Sequence, residues 1–408
     1  MTAQPLKPLT TKLGELLIAR IAAAGPITVA AYMQTCAYHP KHGYYSGSDR
    51  PAAGPFGRTG DFVTSPEISQ MFGELIGLWC ADHWQSSGLE PPIRLIELGP
   101  GRGTAMADAV RSIVRVPLPS APEIHLPEIH LPEIHLVETS PRLRQVQART
   151  LAGSNPVWHD RLEDVPPGPA IIVANEFFDA LPVRQLQRCG PDTGRGEGWR
   201  ERLIGLEDGA LAFQLGPVLD RRDGPSLLQA PAFARFADGE LVEIAEAARA
   251  IIKTAAARLA EHGGAMLIID YGYGRAPGSR CVGSTLQAVA EHRYADPLDR
   301  PGEADLTVHV DFSQLAHGLG DLPSLRIWGP VTQGIFLTRL GIDARATALS
   351  ADASPAERAD IAAAAARLTA EDREDKMGRL FKVMCLTTSR SLPAGFESGE
   401  REHGRGFS

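Results

Sequence analysis

Three stretches of this sequence combine glycines, carboxylates and amides in patterns that packing alone does not require. Glu97-Leu98-Gly99-Pro100-Gly101-Arg102-Gly103 follows an apolar run and opens a helical pattern. Glycines at such a turn let the backbone bend sharply and approach a bound nucleoside. Glu138 closes the next apolar run, where a carboxylate can take a ribose diol in two hydrogen bonds. It stands 35 residues beyond Gly103, and ten of these are extra copies of a tandem repeat, which leaves 25. The usual separation is about 20. The third stretch, Ile171 to Pro182, is an apolar strand that emerges into Asn175, Glu176, Phe177, Phe178 and Asp179. Ligands of open α/β sheets bind outside the carboxyl ends of the strands, so a substrate is expected there. Capping by Asn175 or Asp179 would use one group without any chemistry.

A dinucleotide site wants G-x-G-x-x-G and a pyrophosphate at the helix N-terminus. Pro100 between the first glycines and Thr104-Ala105-Met106 after the third suit that poorly. An S-adenosylmethionine site has no phosphate to cradle and wants an acid just before the glycines, near the cofactor's ammonium; Glu97 is there. The methyltransferase reading therefore stands ahead of a nicotinamide oxidoreductase. Asp160, after a short third strand, is either an adenine contact or an ordinary turn residue.

The elements that must position these residues alternate. Strands are expected at Ile93–Leu98, Ile134–Val137, Val157–Trp158 and Ala170–Ala174, with helices over Thr104–Val114 and Pro141–Leu151 between them. That order predicts a doubly wound, mostly parallel sheet. Before it, helices are expected over Thr10–Ala24 and from Thr28 toward Thr35, and one starting at Thr64-Ser65-Pro66-Glu67 and carrying Phe72, Leu75, Ile76 and Trp79. After it come β-hairpins (Arg200–Leu206, Leu211–Gln214), an Ala-rich helix over Leu241–Ala260, and a strand at Ala265–Asp270. A long irregular stretch, a late strand at Phe381–Leu386 and a disordered tail complete the chain. The boundaries expected are a helical arm and cofactor-covering loop (1–90), the first half of the core (91–182), a hairpin insertion (183–240), the second half with a substrate-side insertion (241–390) and the tail (391–408).

Composition narrows the function classes. A charge of −8, from 41 basic and 49 acidic residues, argues against general nucleic-acid or anionic-membrane affinity. No apolar run approaches the length of a membrane-spanning helix, so no membrane insertion is expected. Five widely spaced cysteines without C-x-x-C argue against a disulfide framework or thiolate zinc site, and with no secretory leader pattern they predict a cytoplasmic protein. Pro-Glu-Ile-His-Leu occurs three times from Pro122, spacing His125, His130 and His135 five apart. That spacing matches no usual ligand pattern, so no metal site is expected, and only the last copy needs to form a strand.

The chain also resembles the MidA family of class I S-adenosylmethionine-dependent methyltransferases, whose mitochondrial members are complex I assembly factors that methylate a protein arginine. The resemblance covers nearly all of residues 10–390. It rests on Gly25-Pro26-Ile27, Tyr38 to Tyr45, Gly60 to Glu67, the Glu97–Gly103 loop, Asn175 to Pro182, Asp305 to Phe312, Thr332-Gln333-Gly334 and Met377 to Lys382. It implies a Rossmann-like class I fold, S-adenosylmethionine as cofactor, and a protein acceptor, with a respiratory complex I subunit the one suggested. It also implies that the Asp61–Glu67 loop helps bind the methionine portion, which adds Gly60, Asp61, Thr64 and Ser65 to the cofactor residues.

An arginine acceptor carries a planar, protonated guanidinium, which paired carboxylates can grip in two-point hydrogen bonds. Glu176 and Asp179 are the candidates for that clamp, with Asn175 beside them. Tyr44 and Tyr45 either cover the ligands or pack; Asp305, His309 and Asp311 either face the substrate or form a solvated strand face. Two rival functions share the fold: a small-molecule methyltransferase, and a cofactor-binding assembly factor without turnover.

Overall fold

In a computed structural model, the residues described are 11–47, 64–114, 132–190, 198–220, 224–229, 233, 235–274, 283–290, 293–373 and 376–402. The chain runs α1 (Lys12–Ala24), β1 (Ile27–Thr28), α2 (Val29–Tyr38), α3 (Ser65–Ile68) and α4 (Gln70–Ser87). It continues β2 (Arg94–Leu98), α5 (Thr104–Ile113), β3 (Glu133–Val137), α6 (Pro141–Thr150), β4 (Val157–His159) and β5 (Ala170–Asn175). Next come β6 (Arg184–Cys189), β7 (Gly198–Glu207), β8 (Ala210–Val218), β9 (Leu241–Ile244), α7 (Glu246–His262) and β10 (Gly264–Tyr273). Then follow β11 (Gln287–Ala290), β12 (Arg293–Ala295), β13 (Asp305–Thr307), β14 (Val310–Asp311), α8 (Phe312–Ala316) and β15 (Arg326–Thr332). The chain ends with α9 (Gln333–Arg339), α10 (Ile342–Ser350), α11 (Pro355–Thr369), α12 (Met377–Leu380), β16 (Phe381–Thr387) and β17 (Arg401–Glu402).

The central sheet has the order β17-β15-β16-β10-β5-β2-β3-β4. β4, β3, β2, β5 and β10 run parallel, whereas β16, β15 and β17 add antiparallel pairs. From β2 the chain winds outward through β3 and β4, then returns to β5 and winds the other way. Strand order therefore reverses between β2 and β5, and a crevice opens beyond their carboxyl ends. Alternate strand residues feed two cores. Leu95, Ile171, Val173, Leu267 and Ile269 pack with α4 and α9, while Ile96, Leu98, Ile172, Met266 and Ile268 pack with α7 and α8.

A second sheet (β1-β7-β6-β9, with β8 on β7) joins the N-terminal arm to the inserted hairpins, and Leu17, Ile21, Tyr32 and Ile204 share one core. β12-β11-β13 forms a third.

Several expectations are corrected. The helix expected from Thr64 is two, because extended Ser69 breaks the run and its hydroxyl caps α4 by accepting from Met71 N. Leu241–Ile244 is a strand paired with β6, and α7 begins only at Glu246. The stretch beyond β10 contains five strands and five helices before β16 among the described residues. Residues 391–402, expected within a disordered tail, are folded: Phe396 is buried, and Arg401 and Glu402 pair with β15. The first two repeat copies lie outside the described residues, and the last forms β3.

Candidate cofactor and acceptor site

A single cavity of about 1380 Å³ lies beyond the ends of β2 and β5 and gathers most of the expected site residues. Glu97, the penultimate residue of β2, is 4% exposed; burial lifts its carboxyl to about 8, and Oε2 has no hydrogen-bond partner. Gly99 has φ +61°, and a Cβ there would stand 2.7 Å from the Phe177 ring. Gly101 also turns at positive φ and lines the cavity, whereas Gly103 lies just behind it as the N-cap of α5.

Glu138 sits beyond β3 with its carboxylate held from two sides. Oε1 accepts from Ser140 N at 2.8 Å, and Oε2 accepts from Gln147 Nε2 at 3.2 Å. The same Gln147 nitrogen donates to Gly101 O at 2.8 Å, and its Oε1 accepts from Trp158 Nε1 at 2.9 Å. Fully buried Gln147 thus ties the glycine loop to the acidic residue. It lies on polar, Arg-rich α6, where nothing in the sequence marks it. Asp160 lines the cavity rim, mostly exposed, and pairs with Arg144 at 2.6 Å. His135 turns to His159 on β4, ring nitrogens 2.9 Å apart, and no metal-holding cluster occurs among the described residues.

The Asn175–Asp179 segment is held by a residue on the neighbouring strand. Asp270 Oδ2 accepts from three successive backbone N–H groups, Phe177 (3.2 Å), Phe178 (2.9 Å) and Asp179 (3.3 Å). Its Oδ1 accepts from Tyr271 N at 2.9 Å. This grip follows Glu176, a non-glycine residue at φ +50°, a conformation that costs about 1–2 kcal/mol and needs such support. Glu176 Oε1 accepts from Ser65 N at 2.9 Å and Asn175 Nδ2 at 3.3 Å. Burial raises Glu176 to about 7 despite those bonds, and Asp179 to about 6. Asp179 Oδ1 and Asn175 Oδ1 are buried without hydrogen-bond partners.

Across the cavity, the Tyr45 hydroxyl donates to Asp305 Oδ1 at 2.6 Å. The Tyr45 carbonyl accepts from Ser140 Oγ and Arg142 Nη2, which fastens the N-terminal arm over the start of α6. His309 lines the cavity edge-on to Tyr271, and burial lowers its proton affinity.

Besides Gly103, three expected residues do not reach the cavity wall. Tyr44 is buried edge-on behind Tyr45. Asp311 caps α8, its carboxylate accepting from Ser313 and Gln314. Ser65 is buried behind Glu176, with its hydroxyl on Gln333, although neighbouring Thr64 does line the cavity. Gly60 and Asp61 lie outside the described residues.

Residues 75–331 match the family model described as "Putative S-adenosyl-L-methionine-dependent methyltransferase". The chain belongs to this methyltransferase family. The methyltransferase is 37% identical over 403 residues to the mitochondrial protein arginine methyltransferase NDUFAF7 of Danio rerio, spanning 92% of this chain and 87% of the relative. The human protein of that name is 36% identical over 414 residues, 95% of this chain and 86% of the relative. A crystal structure of a superfamily member from Burkholderia thailandensis, bound to S-adenosyl-homocysteine, superposes with TM-score 0.77 at 28% identity, covering 98% of this chain and all of the other. The doubly wound α/β fold and the S-adenosylmethionine cofactor follow. The residues present fit that cofactor, because buried Glu97 offers an unpartnered oxygen beside a cavity-lining backbone turn, at Gly99, where a side chain would collide with the Phe177 ring. The cytoplasmic location expected from the cysteines and N-terminus is overturned: these animal relatives are named as mitochondrial proteins. Among the described residues no helix is long and apolar enough to cross a membrane.

Proposed function

We propose that this methyltransferase modifies an arginine side chain of a protein, with Glu176 and Asp179 as the clamp on the guanidinium. The observation that carries this is a second set of carboxylates, Glu176, Asp179 and Asp305, in the cavity that holds the glycine loop. A small apolar acceptor would bring these acids no positive charge, whereas a guanidinium offers one together with five N–H donors. The names of the relatives agree with this reading. From the family resemblance, the acceptor proposed is a subunit of respiratory complex I.

On the cofactor side, Glu97 would hold the methionine ammonium and Glu138 the ribose, with Gly99 and Gly101 giving close backbone approach and Asp160 at the adenine. When bound, S-adenosylmethionine supplies the electrophilic methyl group. The protein's part is orientation and exclusion of water, worth several kcal/mol in such displacements. Ionised Glu176 and Asp179 accept from the guanidinium and localise electron density on the attacking nitrogen. The proton lost after transfer passes to the same carboxyls, whose burial gives them unusual proton affinity.

Initial rates with an arginine peptide test the clamp. Glu176→Gln and Asp179→Asn should each lower kcat at least about a hundredfold while S-adenosylhomocysteine affinity holds. The wild-type rate should climb as pH rises through about 6 to 7, where the pair ionises. Full turnover in both variants would remove these residues from the reaction.

A further inference from the structure

Resting on the arginine reading, we infer that the three-stranded sheet β12-β11-β13 receives the polypeptide that flanks the acceptor arginine, with Tyr294 as its outer contact. The sheet has two unlike faces. Ala288, Ala290 and Leu306 point into the core shared with the N-terminal arm, and all are buried. Gln287, Val289, Tyr294, Asp305 and Thr307 point into the cavity. Their register makes rows across the strands, with Thr307 opposite Gln287 and Asp305 opposite Val289, which in turn faces Tyr294.

The second row runs from the acid to the open rim. Asp305 is 4% exposed, whereas Tyr294 is 80% exposed. Strands about 4.8 Å apart put their backbones roughly 10 Å from each other. A guanidinium clamped by Glu176 and Asp179 at the inner end of this row, beside Asp305, would therefore leave its own main chain near Tyr294. A lone exposed tyrosine is common; this one closes a row that ends at a buried carboxylate. β12 pairs with β11 alone among the described residues, so its other edge offers backbone groups to an extended peptide. Tyrosine also gives large amphipathic contact for little ordering entropy and is enriched where proteins bind one another. A free arginine or small guanidine would use the acids and leave the rim untouched.

The test compares two probes on the protein saturated with S-adenosylhomocysteine. One is Nα-acetylarginine methylamide; the other is a capped pentapeptide with arginine at its centre and glycine elsewhere. Calorimetry should show the pentapeptide binding about tenfold more tightly, the scale of one anchoring aromatic. Tyr294→Ala should abolish that advantage without changing the affinity of the small probe, and Tyr294→Phe should restore most of it. Equal affinities for the two probes in the wild type, or an advantage that survives Tyr294→Ala, would overturn the inference while leaving the guanidinium site standing. Binding of neither probe would overturn the arginine reading, and this inference with it.

Discussion

Binding of S-adenosylhomocysteine is expected to expel a proton from Glu97. Burial holds its carboxyl at about 8, with one oxygen unpartnered, so in the free protein it is about nine-tenths neutral at pH 7. An ammonium placed against it favours the ionised form by an opposite charge and a hydrogen bond, which drives its pKa down. The complex should then release about 0.9 proton at pH 7 and about 0.5 at pH 8, and affinity should rise up to about tenfold per pH unit below 8. Calorimetry in two buffers of different ionisation enthalpy counts those protons directly. Glu97→Gln should release none through this group and should flatten the pH dependence of affinity between pH 6 and 8. Proton release that is equal in wild type and Glu97→Gln would refute the assignment of Glu97 to the cofactor's ammonium.

The same group predicts a stability profile. Its folded-state pKa is raised from the ordinary 4.5 to about 8, so its contribution is complete below pH 4.5 and is lost as pH rises toward 8. Between pH 5 and 8 the loss is about 4 kcal/mol, and denaturant titrations should find Glu97→Gln less pH-sensitive than wild type across that range. Gln147→Leu removes the donor shared by Gly101 and Glu138 and should weaken S-adenosylhomocysteine about tenfold by calorimetry; an unchanged affinity would make the bridge incidental. Asp270→Asn leaves one acceptor oxygen where two now serve, Oδ2 for the Phe177–Asp179 loop and Oδ1 for Tyr271 N, so one of the two grips is lost. It should lower kcat at least about tenfold while cofactor affinity stays within about twofold, and initial rates beside calorimetry separate the two effects.

The parallel half of the sheet was legible because apolar runs and helical periods alternate cleanly from Ile93 to Ala174, and the polar groups Glu97, Glu138 and Asn175–Asp179 fall at the ends of those runs. What escaped was long-range. Asp270 reads as the polar end of an apolar strand, and only the adjacency of β10 and β5 carries it under the next loop. Gln147 is one polar residue in a polar helix until its burial is seen. Ser69 looks like any helix residue, yet its hydroxyl caps α4 and divides the expected helix. Asp311 shares a strand-like alternation with His309, but a break after Thr307 turns it to cap α8. The β12-β11-β13 sheet was lost in a stretch whose strands are only three or four residues long, too short for a period to show.

In the proposed reaction this cavity delivers a methyl group to a guanidinium held by Glu176 and Asp179. The most direct measurement incubates the protein with methyl-labelled S-adenosylmethionine and purified complex I subunits, then locates the label by tandem mass spectrometry. Label is expected on a guanidino nitrogen of arginine, absent with Glu176→Gln and Asp179→Asn proteins that still bind S-adenosylhomocysteine. Label on lysine, on a carboxylate or on a small molecule, or arginine label undiminished in both variants, would contradict it.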